Sequence, residues 1–320
     1  MKMKKLVAAV VGIACLSMVF SAQAMADYPD DTINLVCHAK EGGGSDAMSR
    51  KVADLIQQQQ GWTVTVENRT GGSGSVAMQY VMSCKPDGYT IGTAPVELSM
   101  IGALGYAEIT PEDVQLLGCT MHWPAALYVA ADAPYSNLSE FVDYCTENPG
   151  TISVANSGIG SIWHIAACVL ADKTGIEINH VPYDGAQGAI TALLGGEIEA
   201  AIVGSSEGYT YVESGDVKCL AVFGDERSEV LPDVETTIEQ GYDFTVNCWV
   251  GLLAPKGLED DVCETLVSAI REACESDDYI EFCKGRGCDY TFLEPDAFLE
   301  MANADTEYYA QLIADLGIVQ

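Results

Sequence analysis

Residues 151–204, TISVANSGIGSIWHIAACVLADKTGIEINHVPYDGAQGAITALLGGEIEAAIVG, alternate between short β-prone runs, small-residue turns and runs with helical periodicity. The β-prone run TISVA is broken by GIGS, and apolar residues then recur at helical spacing from Ile162 until Gly175. EINHVPY and EAAIVG predict two more strands, with GAQGAITALL as a short helix between them. Because each strand leads into a helix through a small-residue turn, we expect a largely parallel sheet with helices on its faces.

The helices of this stretch begin at glycine-rich loops, and such loops recur along the chain. EGGGSD, GTAP, NSGIGS, PYDG and GSS all follow predicted strands directly. A helix start offers free backbone N–H groups with partial positive charge, which suit a carboxylate or another small anion. In α/β sheets ligands bind at the carboxyl ends of the strands. Two lobes that present such loops to each other across a cleft would form a clamp rather than a reaction centre.

The first 26 residues have the pattern of an export signal. Basic MKMKK precedes the apolar run LVAAVVGIACLSMVF, and small residues suit cleavage after Ala24 or Ala26. The apolar run is too short to favour a membrane span. We therefore expect a mature chain that begins near Asp27 and acts in the periplasm or another extracytoplasmic space. Lipid attachment at Cys15 is the less favoured alternative.

The chain is strongly acidic, with a formal net charge of −32 at pH 7. This charge argues against nucleic-acid partners and against binding to anionic membrane surfaces. An anionic ligand would have to be held by local dipoles against the overall field. The length of 320 residues is sufficient for two domains with their own cores after the leader is removed.

Cysteines are numerous, but no C-x-x-C pair occurs among the twelve. The four histidines are scattered at positions 38, 122, 164 and 180, so neither a zinc site nor any other metal site is expected. Export would permit disulfides, and Cys283 and Cys288 are the pair closest in sequence. Free cysteines that pack as small hydrophobic residues explain the count equally well. The connectivity stays open.

The strand pattern divides the chain into two lobes. Three strands, TINLVCHA, TVTVEN and TIGTAP, alternate with helices in the first lobe, and Ser45 or Asp46 is the expected N-cap of the first helix. LLGCTMHWPAALYVAAD is expected to cross to the second lobe, and TVNCWVGLLAPKG to return. We expect lobe 1 to comprise residues 27–125 plus 245–320 and lobe 2 residues 126–244, with the connecting strands as a hinge.

Two short motifs keep enzymatic alternatives open. Gly42-x-Gly44-x-x-Ala47, with Glu67 at the end of the next strand, is a loose form of the dinucleotide fingerprint of an NAD-type oxidoreductase. Nicotinamide dinucleotides are scarce outside the cytoplasm, which counts against this function. Gly204-x-Ser206-x-Gly208 is typical of a serine hydrolase, but the last histidine, His180, precedes this serine and the order of the triad fails.

A set of longer motifs points to a known family. They are TINLVCHAKEGGGSDAMSR, VENRTGGSGS, PDGYTIGT, NPGTISVANSGIGSIWH, VPYDGAQGAITALLGGEIEA, ERSEVLPDVETTIEQGY and WVGLLAPKGL. In order and spacing they resemble the extracytoplasmic solute receptors of tripartite tricarboxylate transporters, also called Bug proteins. The resemblance covers essentially the whole mature chain. It implies an α/β, two-lobed periplasmic-binding-protein (Venus-flytrap) fold with two crossover strands, and a receptor without catalysis or cofactor. It also implies capture of a small carboxylate, a di- or tricarboxylate or a related organic acid, for integral-membrane permease subunits.

The same resemblance implies the ligand contacts. By motif they are Gly43, Gly44, Ser45, Asp46, Thr93 and Ala94 in lobe 1, and Ser157, Gly158, Gly160, Ser161, His164, Tyr183, Asp184, Gly185 and Ser205 in lobe 2. Capping is a competing role for Asp46 and Ser161. For His164 the roles considered are a ligand contact or the ordering of its loop, and packing or capping of its helix is the alternative that we favour.

One departure from the family pattern lies beside these contacts. Where the family has a proline-containing apolar run, this chain has His38-Ala39-Lys40-Glu41. We expect Lys40 to point to solvent, and a cationic contact to a second ligand carboxylate is its alternative. Glu41 would repel an anion if it faced the cleft. The ligand itself and the oligomeric state do not follow from the sequence.

Overall fold

The computed structural model describes residues 28–315 and residue 317, without the side chains of residues 289 and 291. The export signal expected at residues 1–26, including Cys15, lies outside the described residues. The strands are β1 Ile33–Cys37, β2 Val64–Asn68, β3 Thr90–Pro95, β4 Val114–Ala130, β5 Ser153–Asn156, β6 Asn179–Pro182, β7 Ala200–Gly204, β8 Val217–Val222, β9 Asn247–Pro255 and β10 Asp289–Leu293. The helices are α1 Gly44–Gln60, α2 Ser75–Met82, α3 Leu138–Glu147, α4 Ile162–Thr174, α5 Ala186–Leu194, α6 Ser205–Glu213, α7 Asp260–Cys274, α8 Asp277–Arg286 and α9 Pro295–Asp315.

The strands form two sheets that share β4. In the first sheet β1 runs parallel to β2 and β3, and β9 lies antiparallel between β3 and the first part of β4. In the second sheet the later part of β4 pairs antiparallel with β7 and β8. There β5 runs parallel to both β6 and β7, so the parallel arrangement predicted for residues 151–204 is confirmed.

The change from one sheet to the other occurs within β4. Pro124 is the last β4 residue opposite β9, and Ala125 is the first opposite β7. The returning chain is tied to the same point, because the Ala125 N–H donates to Val246 O at 2.9 Å and the Phe223 N–H donates to Ala125 O at 2.7 Å. The predicted crossing and returning strands therefore exist, and backbone hydrogen bonds hold them together where the sheets meet.

Helix capping explains where the site-forming helices begin and end. Helix α4 has Ser161 as its N-cap, whose Oγ accepts from the His164 N–H at 3.2 Å, and it ends at left-handed Gly175 as predicted. The expected N-cap of α1 is wrong. Gly43 occupies that position without a side-chain cap, because the Asp46 carboxylate turns back to accept from the Gly42 N–H at 2.9 Å.

Eleven cysteines, from Cys37 to Cys288, form no disulfide among the described residues, and most of them are buried. Between Cys283 and Cys288, the Cys288 N–H donates to Cys283 O at 3.0 Å. This arrangement agrees with the use of cysteine as a small hydrophobic residue. Among residues 28–315, none of the helices has the length and apolar character that a bilayer crossing requires.

Two helical glycines provide a test of how closely α6 packs against β4. A Cβ at Gly208 in α6 would lie 2.6 Å from Cε1 of the buried Tyr128 ring, whereas a Cβ at Gly285 in α8 would meet nothing within 4 Å. We expect Gly208→Ala to destabilise the fold by about 1–3 kcal/mol through overpacking. Gly285→Ala, the matched control, should be neutral or stabilise by up to about 1 kcal/mol through helix propensity. Urea unfolding measures both free energies, and equal effects would contradict the Tyr128 contact.

Candidate functional site

The carboxyl ends of strands from both sheets open onto one cavity of about 640 Å³. A larger surface groove of about 790 Å³ runs beside α7, and none of its lining residues lines this cavity. We call the 640 Å³ cavity the cleft. It is lined by His38, Ala39, Lys40, Glu41, Gly42, Gly43, Gly44, Ser45, Thr70, Gly71, Ser73, Gly74, Pro95, Glu97, Trp123, Ser157, Ser161, Ile162, Trp163, Asp184, Gly185, Gln187, Glu207, Cys248 and Val250.

One wall of the cleft is the start of α1. Gly43 is the N-cap and Gly44 the first helical residue, and no side chain caps the N–H groups that follow. A Cβ at Gly44 would meet nothing within 4 Å, so the backbone is open to the cleft. Uncapped N–H groups at the positive end of a 17-residue helix form a ready position for an anion.

The opposite wall is built in the same way by α5. Its N-cap Gly185 has φ +92°, a left-handed conformation that favours glycine, and it also lacks a side-chain cap. Beside it, the Ser157 hydroxyl lies 2.8 Å from the Ser161 hydroxyl, and both residues line the cleft. Two glycine-capped helix starts, one next to each sheet, therefore face a shared space.

Lys40 lines the cleft and forms an ion pair with Asp184 on the opposite wall. The side chains of Lys40 and Asp184 are 65% and 84% exposed, so Lys40 points to solvent as expected and also bridges the cleft mouth. An exposed pair of this kind contributes at most about 1 kcal/mol. Glu41 lines the cleft as well. Lys40 is the only lysine or arginine in the lining, against four carboxyl groups.

Seven of the expected contacts line the cleft, namely Gly43, Gly44, Ser45, Ser157, Ser161, Asp184 and Gly185. The other eight are not among the lining residues, namely Asp46, Thr93, Ala94, Gly158, Gly160, His164, Tyr183 and Ser205.

Asp46 is buried beneath the α1 loop and fully engaged. Its carboxylate accepts from the Gly42 N–H, from Arg50 Nε at 3.0 Å and from Asn68 Nδ2 at 2.8 Å. Burial by itself would raise the pKa of Asp46, but the hydrogen bonds from Arg50, Asn68 and Gly42 outweigh it and the pKa is lowered. Asp46 therefore shapes the loop that presents Gly43 and Gly44.

The remaining lobe-1 residues outside the lining are strand positions. Ala94 is fully buried in β3, and Thr93 Oγ1 accepts from the His38 N–H at 3.0 Å. This contact fixes His38, a lining residue that the sequence did not predict. Burial lowers the pKa of His38 to about 4, so its ring is neutral at pH 7.

Next to the second sheet, backbone contacts and burial hold Gly158, Tyr183 and Ser205 outside the cleft lining. The carbonyl of Gly158 accepts from the Ser161 hydroxyl at 2.8 Å. Gly158 itself has a φ of +127°, which shapes the turn between β5 and α4. The Tyr183 N–H donates to Asn156 O at 2.9 Å. Ser205 is fully buried at the start of α6, and its hydroxyl has no hydrogen-bond partner within the described part of the chain.

His164 belongs to a side-chain cluster outside the cleft. The Gly160 N–H donates to His164 Nδ1 at 3.2 Å, so the neutral ring carries its proton on Nε2, which lies 3.7 Å from Cys168 Sγ. Candidate metal-ligand atoms of His164, Cys168 and His180 lie within 4.8 Å of one another. The fold therefore brings together side chains whose spacing along the sequence did not predict a cluster. Coordination through Nε2 would move the ring proton to Nδ1 and break the Gly160 hydrogen bond. The structure holds this ring in a loop-ordering role.

The lining also contains two glutamates and two tryptophans that the sequence analysis did not predict: Glu97, Glu207, Trp123 and Trp163. Glu97 and Glu207 follow the ends of β3 and β7 closely, so the rule of strand carboxyl ends could have found them. Trp163 is the second residue of α4. Trp123 lies within β4 beside the change of sheets, and no local pattern marks that position.

Burial raises the pKa of Glu207 to about 7, although hydrogen bonds from the Gly204 N–H and the Trp163 side chain act in the opposite direction. Burial also raises the pKa of Glu97, against backbone N–H groups of Glu97 itself and of Ile162 that lower it. Glu97, which follows β3 of the first sheet, therefore lies near the backbone N–H of Ile162, the first helical residue of α4. Neither carboxyl group has an ion-pair partner within residues 28–315.

The raised pKa of Glu207 predicts a pH-dependent stability. Between its ordinary pKa of 4.5 and about 7, the unfolded chain has released this proton and the folded chain still holds it. Folding stability from this group is therefore lost as pH rises through that window, by at most about 3 kcal/mol. Glu207→Gln cannot titrate, so its unfolding free energy should fall less between pH 5 and pH 8 than that of the wild type. Parallel pH profiles of the two proteins in urea unfolding would contradict the raised pKa.

Comparison with known proteins gives a consistent family relationship. A sequence model described as tripartite tricarboxylate transporter family receptor matches residues 48–318. The protein BugT of Bordetella pertussis is 28% identical over 325 residues, which cover 99% of this chain and 99% of BugT.

Solved structures agree with that relationship. A TctC solute binding protein from Polaromonas, solved without ligand, is 32% identical with a TM-score of 0.77, covering 90% of this chain and 100% of that one. The periplasmic binding protein BugD is 28% identical with a TM-score of 0.81, covering 92% and 100%. These likenesses confirm the expected two-lobed periplasmic-binding-protein fold.

Proposed function

Because the chain belongs to the tripartite tricarboxylate transporter family of solute receptors, we propose that it captures a small carboxylate in the cleft. We further propose that it works in the periplasm or an equivalent space and delivers its ligand to integral-membrane permease subunits. Ligand binding would close the lobes and change the surface offered to the permease.

The observation that carries the carboxylate assignment is the pair of uncapped helix starts. Helix α1 and helix α5 both begin at a glycine N-cap without a side-chain hydrogen bond, and both starts line the cleft. Each leaves backbone N–H groups for a ligand oxygen. A carboxylate placed between them would bind to both lobes at once, which is what a closing clamp requires.

The lobe limits are part of the proposal. Lobe 1 would comprise residues 27–125 plus 245–320, and lobe 2 residues 126–244. The change of strand partners between Pro124 and Ala125 and the hydrogen bond from Ala125 to Val246 support limits at these places. Bending at this junction would open and close the cleft, since Trp123 and Cys248 line the cleft beside it.

The proposed direct contacts are the seven expected residues in the lining, with Gly44, Gly185 and Ser161 as the positions nearest to helix starts. The other eight expected residues are proposed to act indirectly, by holding these loops in place. Gly158 is the clearest case, because a side chain at φ +127° would be strained wherever the ligand lies.

The enzymatic alternatives find no support in the contacts of their motifs. The Ser206 side chain hydrogen-bonds the thiol of Cys288, and the nearby serine–histidine contact, from the His164 N–H to Ser161, is a helix cap. Glu67, which would hold a ribose hydroxyl in a dinucleotide site, forms an ion pair with Arg69. The family is one of solute-binding receptors.

A thermal-shift screen tests the proposal. The panel contains aliphatic mono-, di- and tricarboxylates, aromatic carboxylates, amino acids and betaines, with NAD and an ester substrate as enzymatic controls. We expect a specific carboxylate to raise the melting temperature in a concentration-dependent way. A response to NAD alone, or ester turnover without any carboxylate response, would overturn the receptor assignment.

Gly44→Val tests the position of the site. The added side chain would occupy open cleft space at a residue with ordinary φ, so we expect at least about 100-fold weaker binding with the fold retained. Gly102→Val, at an exposed turn residue outside the cleft lining where an added Cβ would meet nothing nearer than 3.8 Å, is the matched control for the loss of glycine. Calorimetric titration measures affinity, and tight binding by Gly44→Val would exclude this placement.

A further inference from the structure

Two half-buried carboxyl groups in the cleft are at odds with a purely anionic ligand. Glu97 and Glu207 line the cleft from opposite sheets, and neither has a cationic partner within the described residues. Lys40, the one lining cation, is engaged with Asp184 at the mouth. A dicarboxylate would bring two more negative charges into this environment, at a cost that hydrogen bonds from helix starts would have to exceed.

Aromatic rings accompany these carboxyl groups. Trp123 and Trp163 are 5% and 4% exposed and line the cleft, with ring centroids 6.4 Å apart. The Trp163 side chain hydrogen-bonds Glu207, whose Oε2 accepts from the Gly204 N–H at 2.7 Å. The indole contact with Glu207 is made by the N–H edge of Trp163, so an ammonium group in these surroundings would be held by ion pairing with the carboxyl groups.

A buried polar group in the same corner is left without a partner. Trp123 Nε1 has no hydrogen-bond partner within the described chain. As an N–H donor it requires an acceptor, such as an oxygen of the ligand carboxylate, and not a cation. A Cβ at Gly204 would overlap Trp123 Nε1 and lie 3.0 Å from Glu207 Oε2, so both atoms border one small space. A second cavity, of about 350 Å³, adjoins the cleft there and shares Gly44, Trp123 and Glu207 with it. Its own cation, Arg286, lies over the Phe282 ring at 5.4 Å.

We propose that the ligand carries a cationic nitrogen as well as its carboxylate, and that Glu97 and Glu207 receive the cation. This inference rests on the proposed receptor function and assigns its substrate class. The carboxylate lies between the starts of α1 and α5, and the ammonium or quaternary ammonium group lies at these two carboxyl groups. Amino acids and betaines have this chemistry, whereas dicarboxylates do not.

Glu97 and Glu207 are held by elements of different lobes, which makes the cation subsite dependent on closure. Glu97 follows β3 in the first sheet, whereas Trp163 and Glu207 belong to α4 and α6 beside the second. Glu97 lies near the Ile162 N–H across the cleft and so competes for a helix start that could otherwise take a second ligand carboxylate. This contact is a further reason for discrimination against dicarboxylates.

The experiment is a calorimetric comparison of matched ligands on the purified protein. 5-Aminopentanoate, hexanoate and adipate have equal chain length and end in ammonium, methyl and carboxylate groups. Glycine betaine and 3,3-dimethylbutanoate differ only in nitrogen against carbon. For the chain length that binds best in the screen, we expect the cationic member to bind about 10- to 100-fold more tightly than its partners.

Variants connect this preference to the named residues. Glu207→Gln and Glu97→Gln should each reduce affinity for the cationic ligand at least about tenfold and narrow the gap to the uncharged analogue. Glu213→Gln, which removes an exposed carboxylate from the same helix as Glu207, is the matched control and should leave both affinities unchanged. Circular dichroism confirms that each variant is folded.

The pH dependence separates this inference from its main rival, in which protonated glutamates donate to an anionic ligand. The groups that face Glu207 are Tyr128, Trp163, Cys248 and Cys288, and burial raises the pKa of the phenol and both thiols far above neutrality. Cationic-ligand affinity should therefore rise with pH as Glu207 ionises near pH 7, and this slope should be lost in Glu207→Gln. The rival requires affinity to fall over the same range.

The results of these experiments test the ligand class and the receptor function separately. If the tightest ligand is a carboxylate without a cationic nitrogen, this inference is overturned while the receptor function stands. If no carboxylate of any class binds, the proposed function itself is contradicted. A cationic ligand whose affinity is unchanged in both glutamine variants would show that other residues receive the cation.

Discussion

The hydrogen-bonding of β4 on both of its edges is the constraint on which the rest of the structure depends. Its first part is paired with β9 and β10, and its later part with β7 and β8. The partners change between Pro124 and Ala125, where the returning chain also binds. Any movement of one sheet against the other must be absorbed at this junction. Trp123 and Cys248 line the cleft beside it, so in the proposed mechanism ligand contact and lobe movement would involve the same residues.

Electrostatics in the cleft depend on local groups rather than on the net charge of −32. Backbone N–H groups at the starts of α1 and α5 offer partial positive charge, while Glu97 and Glu207 have carboxyl groups whose pKa is raised by burial. A site with N–H donors and acidic groups suits a ligand with both charges. Water and counter-ions screen the outer surface but act weakly on these half-buried groups.

Local rules predicted the elements and the loops well, because they depend on neighbours in sequence. Periodicity and glycine placement gave α4 its correct end at Gly175, and Ser161 is its N-cap. The same rules failed for the N-cap of α1. Asp46 has a suitable side chain, but Asn68, which the fold brings beside it, and Arg50, one turn further along the same helix, keep its carboxylate below the loop. These contacts outweighed a capping propensity of about 1 kcal/mol.

The sequence by itself determined the order of strands and helices, the glycine loops at strand ends and the resemblance that identifies the family. These features follow from backbone sterics, periodic burial and short-range capping, which act over a few residues. Only the tertiary structure decided which side chains share a space. It placed Glu97 near the Ile162 N–H, joined Trp123 to Trp163, and brought His164 to His180. Such contacts depend on how the two sheets pack around β4, which no local spacing encodes.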